Sequence, residues 1–343
     1  MPTPRARSRA LDPALLAEGV AAGERVALAR AITLLESSRE RDRVAAGRML
    51  DVLMSRTGRG VRIGLTGVPG AGKSTLIERL GLMLADRGQR LAVLAVDPSS
   101  ARTGGAILGD KTRMPRLSTH PNAFVRPSAS GSSLGGVAAR TRESILLCEA
   151  AGFDTVIVET VGVGQSETAV AEMTDVFLAL LLPGAGDELQ GIKRGLIELA
   201  DVLAVNKADG EQLAGARRAV AEYRSALNAI RPADGGEPAP VLMCSAATGK
   251  GVSELWDTVT RLVETRRADG RLERRRVEQG RRWFDDAIGT IAAARALSES
   301  RVARAVLDAR ERLAAGVGSP TTEAERVASV LRDALGENEN HNS

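Results

Sequence analysis

The sequence predicts an α/β fold. A mainly parallel central sheet carries helices on both faces, with a helical N-terminal extension before it and a helical C-terminal arm after it. Three observations predict this. Short apolar runs at 61–66, 91–96, 154–159, 176–182, 202–206 and 241–245 alternate with helical stretches, as in a parallel sheet covered on both sides. A glycine-rich loop, Gly67 to Gly72, joins the first run to a helix-like stretch from Leu76 to Arg87. From about Arg261 onward Arg, Glu and Ala dominate and no strand-like run appears.

Taken in order, Leu15, Leu16, Val20, Ala27, Leu28, Ile32 and Leu35 recur at helical spacing across 11–55. The strand–helix alternation occupies the middle of the chain. Ile288, Ile291, Val302, Val306, Leu307 and Leu313 predict long amphipathic helices near the end. Gly316-Val317-Gly318-Ser319-Pro320 breaks that pattern. A last helix is expected from about Glu323 to Leu335, capped by Ser319 or by Thr321-Thr322. The expected domains are therefore 1–57, a helical extension; 58–262, the α/β domain; and 263–343, a helical arm with a polar tail.

Composition narrows the function classes. Hydrophobic residues make up 43% of the 343 but aromatics only 2%, so Ala, Val, Leu and Ile must build the core. Lys and Arg (47) nearly balance Asp and Glu (43), which gives no overall nucleic-acid footprint. The arginine-rich stretch from Arg266 to Arg282 is expected to be a solvated helix or a dimer surface, with Glu273 and Glu278 as ion-pair partners. No apolar run reaches the length of a membrane span. Cys148 and Cys244 sit in apolar settings and read as reduced core thiols of a cytoplasmic protein. His120 and His341 are isolated, so a His/Cys metal cluster has nothing to build on.

Gly67-Val68-Pro69-Gly70-Ala71-Gly72-Lys73-Ser74-Thr75 fits the phosphate-binding P-loop, G-x-x-x-x-G-K-[ST], in the strand-to-helix setting that motif requires. The fold class is thus a P-loop NTPase domain. The glycines let backbone N–H groups converge on a phosphate chain, and the following helix adds its N-terminal dipole. Lys73 is expected at the β- and γ-phosphates, the Ser74 hydroxyl on Mg²⁺, and Thr75 at the α-phosphate. Asn206-Lys207-Ala208-Asp209 ends a second apolar run. A carboxylate at Asp209 accepts from guanine N1–H and its exocyclic amine. Adenine offers a lone pair there, at a cost of about 2–5 kcal/mol. Ser245-Ala246-Ala247 lies where a backbone N–H meets guanine O6. GTP and GDP are therefore the expected ligands. Glu159, Asp97 and Asp110 stand at or after run ends and are candidate Mg²⁺ or water-positioning acids.

Longer strings carry a resemblance. Asp97-Pro98-Ser99-Ser100, Thr103 to Lys111, Val158 to Glu167 and Gly186 to Lys193 resemble the MeaB/ArgK family of P-loop GTPases, and the likeness runs from about Leu28 to Ser319-Pro320. The resemblance implies a GTPase chaperone that gates adenosylcobalamin loading of an acyl-CoA mutase, chiefly methylmalonyl-CoA mutase, and protects it. It implies a homodimer joined through the C-terminal arm. It places the Mg²⁺-region acids on Asp97, Asp110 and Glu159, and a partner-sensing switch on about 183–193, with Asp187 and Lys193 as catalytic candidates. No water-positioning glutamine directly follows Gly162, and no arginine in that segment is an evident finger. Hydrolysis is accordingly expected to be slow alone and completed by the partner. Two rival readings are a GTP-gated binding module for another mutase and an ATP-dependent kinase linked to transport of basic amino acids.

Overall fold

The computed structural model describes residues 12–37, 39–96, 113–126, 136–160, 166–184, 194–229 and 238–340. The chain divides into two compact units, 1–280 and 281–343.

The first unit opens with α1 (Pro13–Ala21), α2 (Arg25–Leu35) and α3 (Glu40–Leu53). Asp12 caps α1, its carboxylate accepting from Ala14 N at 3.0 Å. The three helices pack on one another and bury Leu16, Val20, Leu28, Ile32, Leu35, Met49 and Leu53, which are mostly the residues whose spacing predicted them.

The strands are β1 (Val61–Gly67), β2 (Leu91–Val96), β3 (Ala123–Arg126), β4 (Thr155–Thr160), β5 (Val176–Leu181), β6 (Val202–Val205) and β7 (Val241–Met243). They form one sheet in the order β3-β2-β4-β1-β5-β6-β7, with every pairing parallel. β3 was not expected. Its apolar stretch, Ala123-Phe124-Val125, is too short and too close to Pro121 and Pro127 to announce a strand. Between the strands run α4 (Lys73–Asp86), α5 (Pro115–Thr119), α6 (Gly136–Ala150), α7 (Ser166–Ala171), α8 (Arg194–Leu199), α9 (Leu213–Ala229) and α10 (Val252–Ala268). Side chains alternate across the sheet. Ile63, Leu65, Val93, Ile157, Leu178 and Leu180 join Leu76, Ile77, Leu80 and Leu84 of α4 and Leu255, Trp256 and Val259 of α10 in one core. The opposite face of β1 meets α6, where Arg62 pairs with the buried Glu149 at 2.8 Å.

An aspartate fixes the register at three places along the N-terminal edge. Asp154, Asp175 and Asp201 each immediately precede a strand. Each carboxylate accepts, at 2.8 Å, the N–H of the residue opposite it: Arg90, just before β2, Arg62 of β1 and Phe177 of β5 respectively. A one-residue slip would break each of these bonds and turn the strand's apolar set over to the other face.

Two of these aspartates, Asp175 and Asp201, also hold arginines expected to be solvated. α11 (Arg271–Ser298) begins within this unit. Arg276 donates through Nε to Asp175 at 2.8 Å and through Nη2 to Gly60 O at 2.7 Å and to Asp175 at 2.6 Å. Arg266 bonds Asp175 O and Asp201, and Arg275 bonds Thr174 O and Ala171 O at 3.1 Å. The reading of Arg266–Arg282 as a solvated helix or dimer surface is thereby corrected for Arg266, Arg275 and Arg276, whose partners are main-chain carbonyls and strand-edge aspartates. Asp175 is fully buried. Asp175→Ala is expected to lower the unfolding free energy by about 3 kcal/mol or more, because it strands a guanidinium and a strand N–H together. Urea unfolding checks this, and a loss below about 1 kcal/mol would contradict it.

In the second unit α11 continues to Ser298, followed by α12 (Ser300–Ala314) and α13 (Pro320–Asn340). The last helix starts earlier than expected, with proline at its first position and Ser319 as cap, its hydroxyl accepting from Thr322 N at 3.2 Å. Buried Glu323 ties α13 to α12 through Arg312 at 2.9 Å and pairs with Arg326 at 2.7 Å.

Candidate functional site

The carboxyl edge of the sheet brings together loops that are far apart in sequence, as parallel α/β folds do. β1 ends in the glycine-rich loop, and α4 begins at Lys73 directly beyond Gly72. Gly72 holds φ 91°, and a Cβ there would come within 2.5 Å of Asn206 Nδ2, so no other residue fits. Ala71 is buried; Pro69, Gly70 and Thr75 are exposed; Val68, Lys73 and Ser74 are half-buried.

The Lys73 ammonium donates to Gly67 O at 2.7 Å and reaches Val68 O at 3.4 Å. Burial makes it shed its proton more readily than an ordinary lysine. The carboxylate of Glu159 opposes that shift and the positive charge of Arg113 adds to it. The Ser74 hydroxyl, in the first turn of α4, donates to Glu159 Oε1 of β4 at 3.1 Å. Glu159 is itself buried in the penultimate position of β4. Beneath them the hydroxyls of Thr66 and Thr160 meet at 3.0 Å, both fully buried. The structure thus pairs two of the residues selected as metal donors. The other two, Asp97 and Asp110, and the switch candidates Asp187 and Lys193, lie outside the described residues, as do Gly162 and Gln165.

The Asn206–Asp209 loop follows β6 and lies against the P-loop. Asn206 is buried and uses both ends of its amide: Nδ2 donates to Ala71 O at 2.7 Å, and Oδ1 accepts from Ala246 N at 2.9 Å. One side chain therefore joins the P-loop to the Ser245–Ala247 loop after β7. Lys207 is the one non-glycine residue with positive φ, 58°, among the described residues. That turn leaves its side chain exposed and Asp209 half-buried, and backbone strain of this kind persists where the surroundings enforce it. Here they do: Ala208 N donates to Cys244 O at 3.0 Å and Gln212 N to Asp209 O at 3.1 Å. The Cys244 thiol sits 3.7 Å from Asn206 Oδ1, with its pKa pushed up to about 12 by burial. Both cysteines are free and buried, as expected of core thiols.

Arg79 was not legible as a site residue. It lies on α4 beyond Lys73 and donates to Ala247 O at 2.6 Å and Ala246 O at 3.4 Å, clamping the third loop onto the P-loop helix. An arginine on an exposed helical face carries no signal of such a contact.

Among the described residues no cluster of three or more His, Cys, Asp or Glu could hold a metal ion. No helix among them is long and apolar enough to cross a membrane.

A glycine-rich phosphate loop tied through Asn206 to an Asn-Lys-Ala-Asp loop, on an all-parallel sheet, places the molecule among the P-loop GTPases. Comparison with known proteins narrows this class. The family model described as methylmalonyl Co-A mutase-associated GTPase MeaB matches residues 28–300. A putative GTPase of Caulobacter vibrioides is 57% identical over 296 residues, covering 84% of this chain and 90% of its own. A Mus musculus protein described as methylmalonic aciduria type A homolog, mitochondrial, is 48% identical over 276 residues, covering 78% of this chain and 66% of its own. Among solved structures, a crystal structure of an LAO/AO transport system kinase superposes with a TM-score of 0.73 at 34% identity, covering 95% of this chain and all of that one. The chain belongs to the MeaB family and is a GTPase, hydrolysing GTP to GDP and phosphate.

Proposed function

We propose that this GTPase gates adenosylcobalamin loading into an acyl-CoA mutase, most specifically methylmalonyl-CoA mutase, and protects that enzyme. The observation that supports the site reading is the pair of hydrogen bonds made by Asn206, which ties the phosphate loop to the Ser245–Ala247 loop. Residues 67–75 take the phosphates, with Lys73 at the β- and γ-positions. Asp209 accepts from the guanine N1–H and amine, the Lys207 stem covers the ring, and the Ser245–Ala247 loop meets O6. Ala246 N–H is already given to Asn206, so the N–H of Ala247 is the donor this reading assigns to the base. The kinase reading suggested by the crystal-structure relative has less support, since a carboxylate at Asp209 disfavours adenine.

Mg²⁺ suits this chain's donors. Ser74 and Glu159 are hard oxygen ligands already at hydrogen-bond distance, and Mg²⁺ needs few protein ligands because it keeps waters and phosphate oxygens. When bound it would neutralise charge on the phosphate oxygens. Asp97 and Asp110 complete this proposed set, and Asp187 and Lys193 serve the partner-sensing switch. Turnover is slow alone and rises when the mutase binds.

In this reading 1–57 is an accessory helical extension, 58–262 the GTPase domain and 263–343 the arm that forms a homodimer. Support for the arm comes from Phe284, Ile288 and Ile291, all exposed on α11 at helical spacing. The protein acts in the cytoplasm, without membrane or nucleic-acid partners. The test is cobalamin transfer: adenosylcobalamin delivery to apo-mutase should depend on whether GTP or a non-hydrolysable analogue is present. Delivery insensitive to the nucleotide would reject the gating.

A further inference from the structure

We propose that Arg79 sets base specificity without touching the base: it is a positioning residue that aims the main-chain N–H of Ala247 at guanine O6. The inference rests on the guanine reading of the Ser245–Ala247 loop and names what directs that loop's donor.

In the loop after β7 the amides are engaged almost without exception. Ser245 N donates to Lys250 O at 2.8 Å, and Gly249 N donates to Ser245 O at 2.8 Å. Ala246 N donates to Asn206 Oδ1 at 2.9 Å, and Thr248 N donates to the Ser245 hydroxyl at 3.1 Å. Between them stands the Ala247 N–H, which has no acceptor among the described residues. Ala247 is exposed, whereas Ser245 and Ala246 are buried. A single unengaged amide on a loop otherwise closed on itself is the donor left for a ligand.

Arg79 grips the peptide that carries this donor. Its Nε donates to Ala246 O at 3.4 Å, the carbonyl of the same peptide unit as the Ala247 N–H. Its Nη2 donates to Ala247 O at 2.6 Å, on the following unit. A trans peptide is planar, so its C=O and N–H point in opposite directions. Drawing Ala246 O toward α4 therefore turns the Ala247 N–H away from that helix. A cation on the carbonyl also polarises the amide and makes its N–H a stronger donor. Buried Asn206 holds the preceding unit through Ala246 N, so the peptide is fixed from both flanks.

The clamp ties base reading to the phosphate helix. Lys73 and Ser74 lie in the first turn of α4, and Arg79 lies less than two turns further along it. One helix thus carries phosphate donors at its start and the grip on the base loop beyond them.

Binding of GDP, 6-thioguanosine diphosphate and inosine diphosphate to the purified full-length protein tests this. Sulfur at position 6 is a poor acceptor, while the N1–H and the exocyclic amine remain. Inosine lacks only the amine, which Asp209 reads. The wild type should prefer GDP to the thio analogue by about tenfold. Arg79→Ala should weaken GDP by about five- to tenfold and the thio analogue by less than about twofold, so that most of this preference disappears. The ratio of GDP to inosine diphosphate affinity should stay unchanged. Arg79→Lys keeps the charge but loses the planar fork, and should regain only part of the preference. An equal loss for all three nucleotides would show that Arg79 merely supports the loop, and unchanged GDP affinity would show that the grip has no bearing on the base. Either result overturns the proposal. Should the alanine variant melt early by circular dichroism, the lysine variant carries the comparison, and a full wild-type preference in it overturns the proposal too. A wild type that binds GDP and the thio analogue equally would instead bring down the O6 assignment itself.

Discussion

Lys73→Ala is expected to lower GTP turnover by about 10³-fold or more, the largest single effect in the site. The ammonium is already pointed into the loop, held by Gly67 O at 2.7 Å and Val68 O at 3.4 Å. Little reorganisation separates that pose from one on a phosphate. Part of its proton affinity is surrendered to burial, while Glu159 holds the charge in place. Alanine removes the cation but leaves the loop amides, so GDP binding should weaken much less than turnover falls. Arginine should not rescue it, because a planar fork does not fit where a compact charge is wanted. Thermal unfolding of the variant controls for folding. Turnover within about tenfold of wild type would mean that Lys73 does not meet the reacting phosphate.

Asp209→Asn should exchange the base preference. Asp209 stands at the end of a loop fixed by Ala208 N to Cys244 O, by the left-handed turn at Lys207 and by Gln212 N to its own carbonyl. The substitution therefore changes hydrogen-bonding chemistry with little change in position. An amide set against guanine N1–H and the exocyclic amine loses at least one good acceptor. GTP affinity should fall by about 30- to 100-fold. Xanthosine triphosphate carries a carbonyl where guanine carries the amine, and should bind the variant better than it binds the wild type. Fluorescence competition with the two nucleotides measures both. Unchanged GTP affinity would show that Asp209 does not read the base.

What could be read from the chain was what is local in it. The P-loop is contiguous and lies between a strand and a helix, so its function and its geometry are legible together. Asn-Lys-Ala-Asp is likewise four adjacent residues at a strand end. The role of Asn206 in joining two loops was only half visible, because Ala71 and Ala246 are its partners across the fold. Arg79 was missed for the same reason: it acts across a gap in sequence, on Ala246 O and Ala247 O, and leaves no periodic trace. The aspartates before β4, β5 and β6 recur visibly at 154, 175 and 201. Their meaning as register pins appears only once the neighbouring strands are known. Arg266, Arg275 and Arg276 looked solvated because a helical repeat of charges ordinarily is, and the strand-edge aspartates that pair with all three lie much earlier in the chain.

GTP turnover by the purified protein, alone and with methylmalonyl-CoA mutase, against ATP as control, tests the central claim most directly. The account predicts slow, GTP-selective turnover that rises when the mutase is added. Turnover of ATP equal to that of GTP, or GTP turnover that the mutase leaves unchanged, would contradict it.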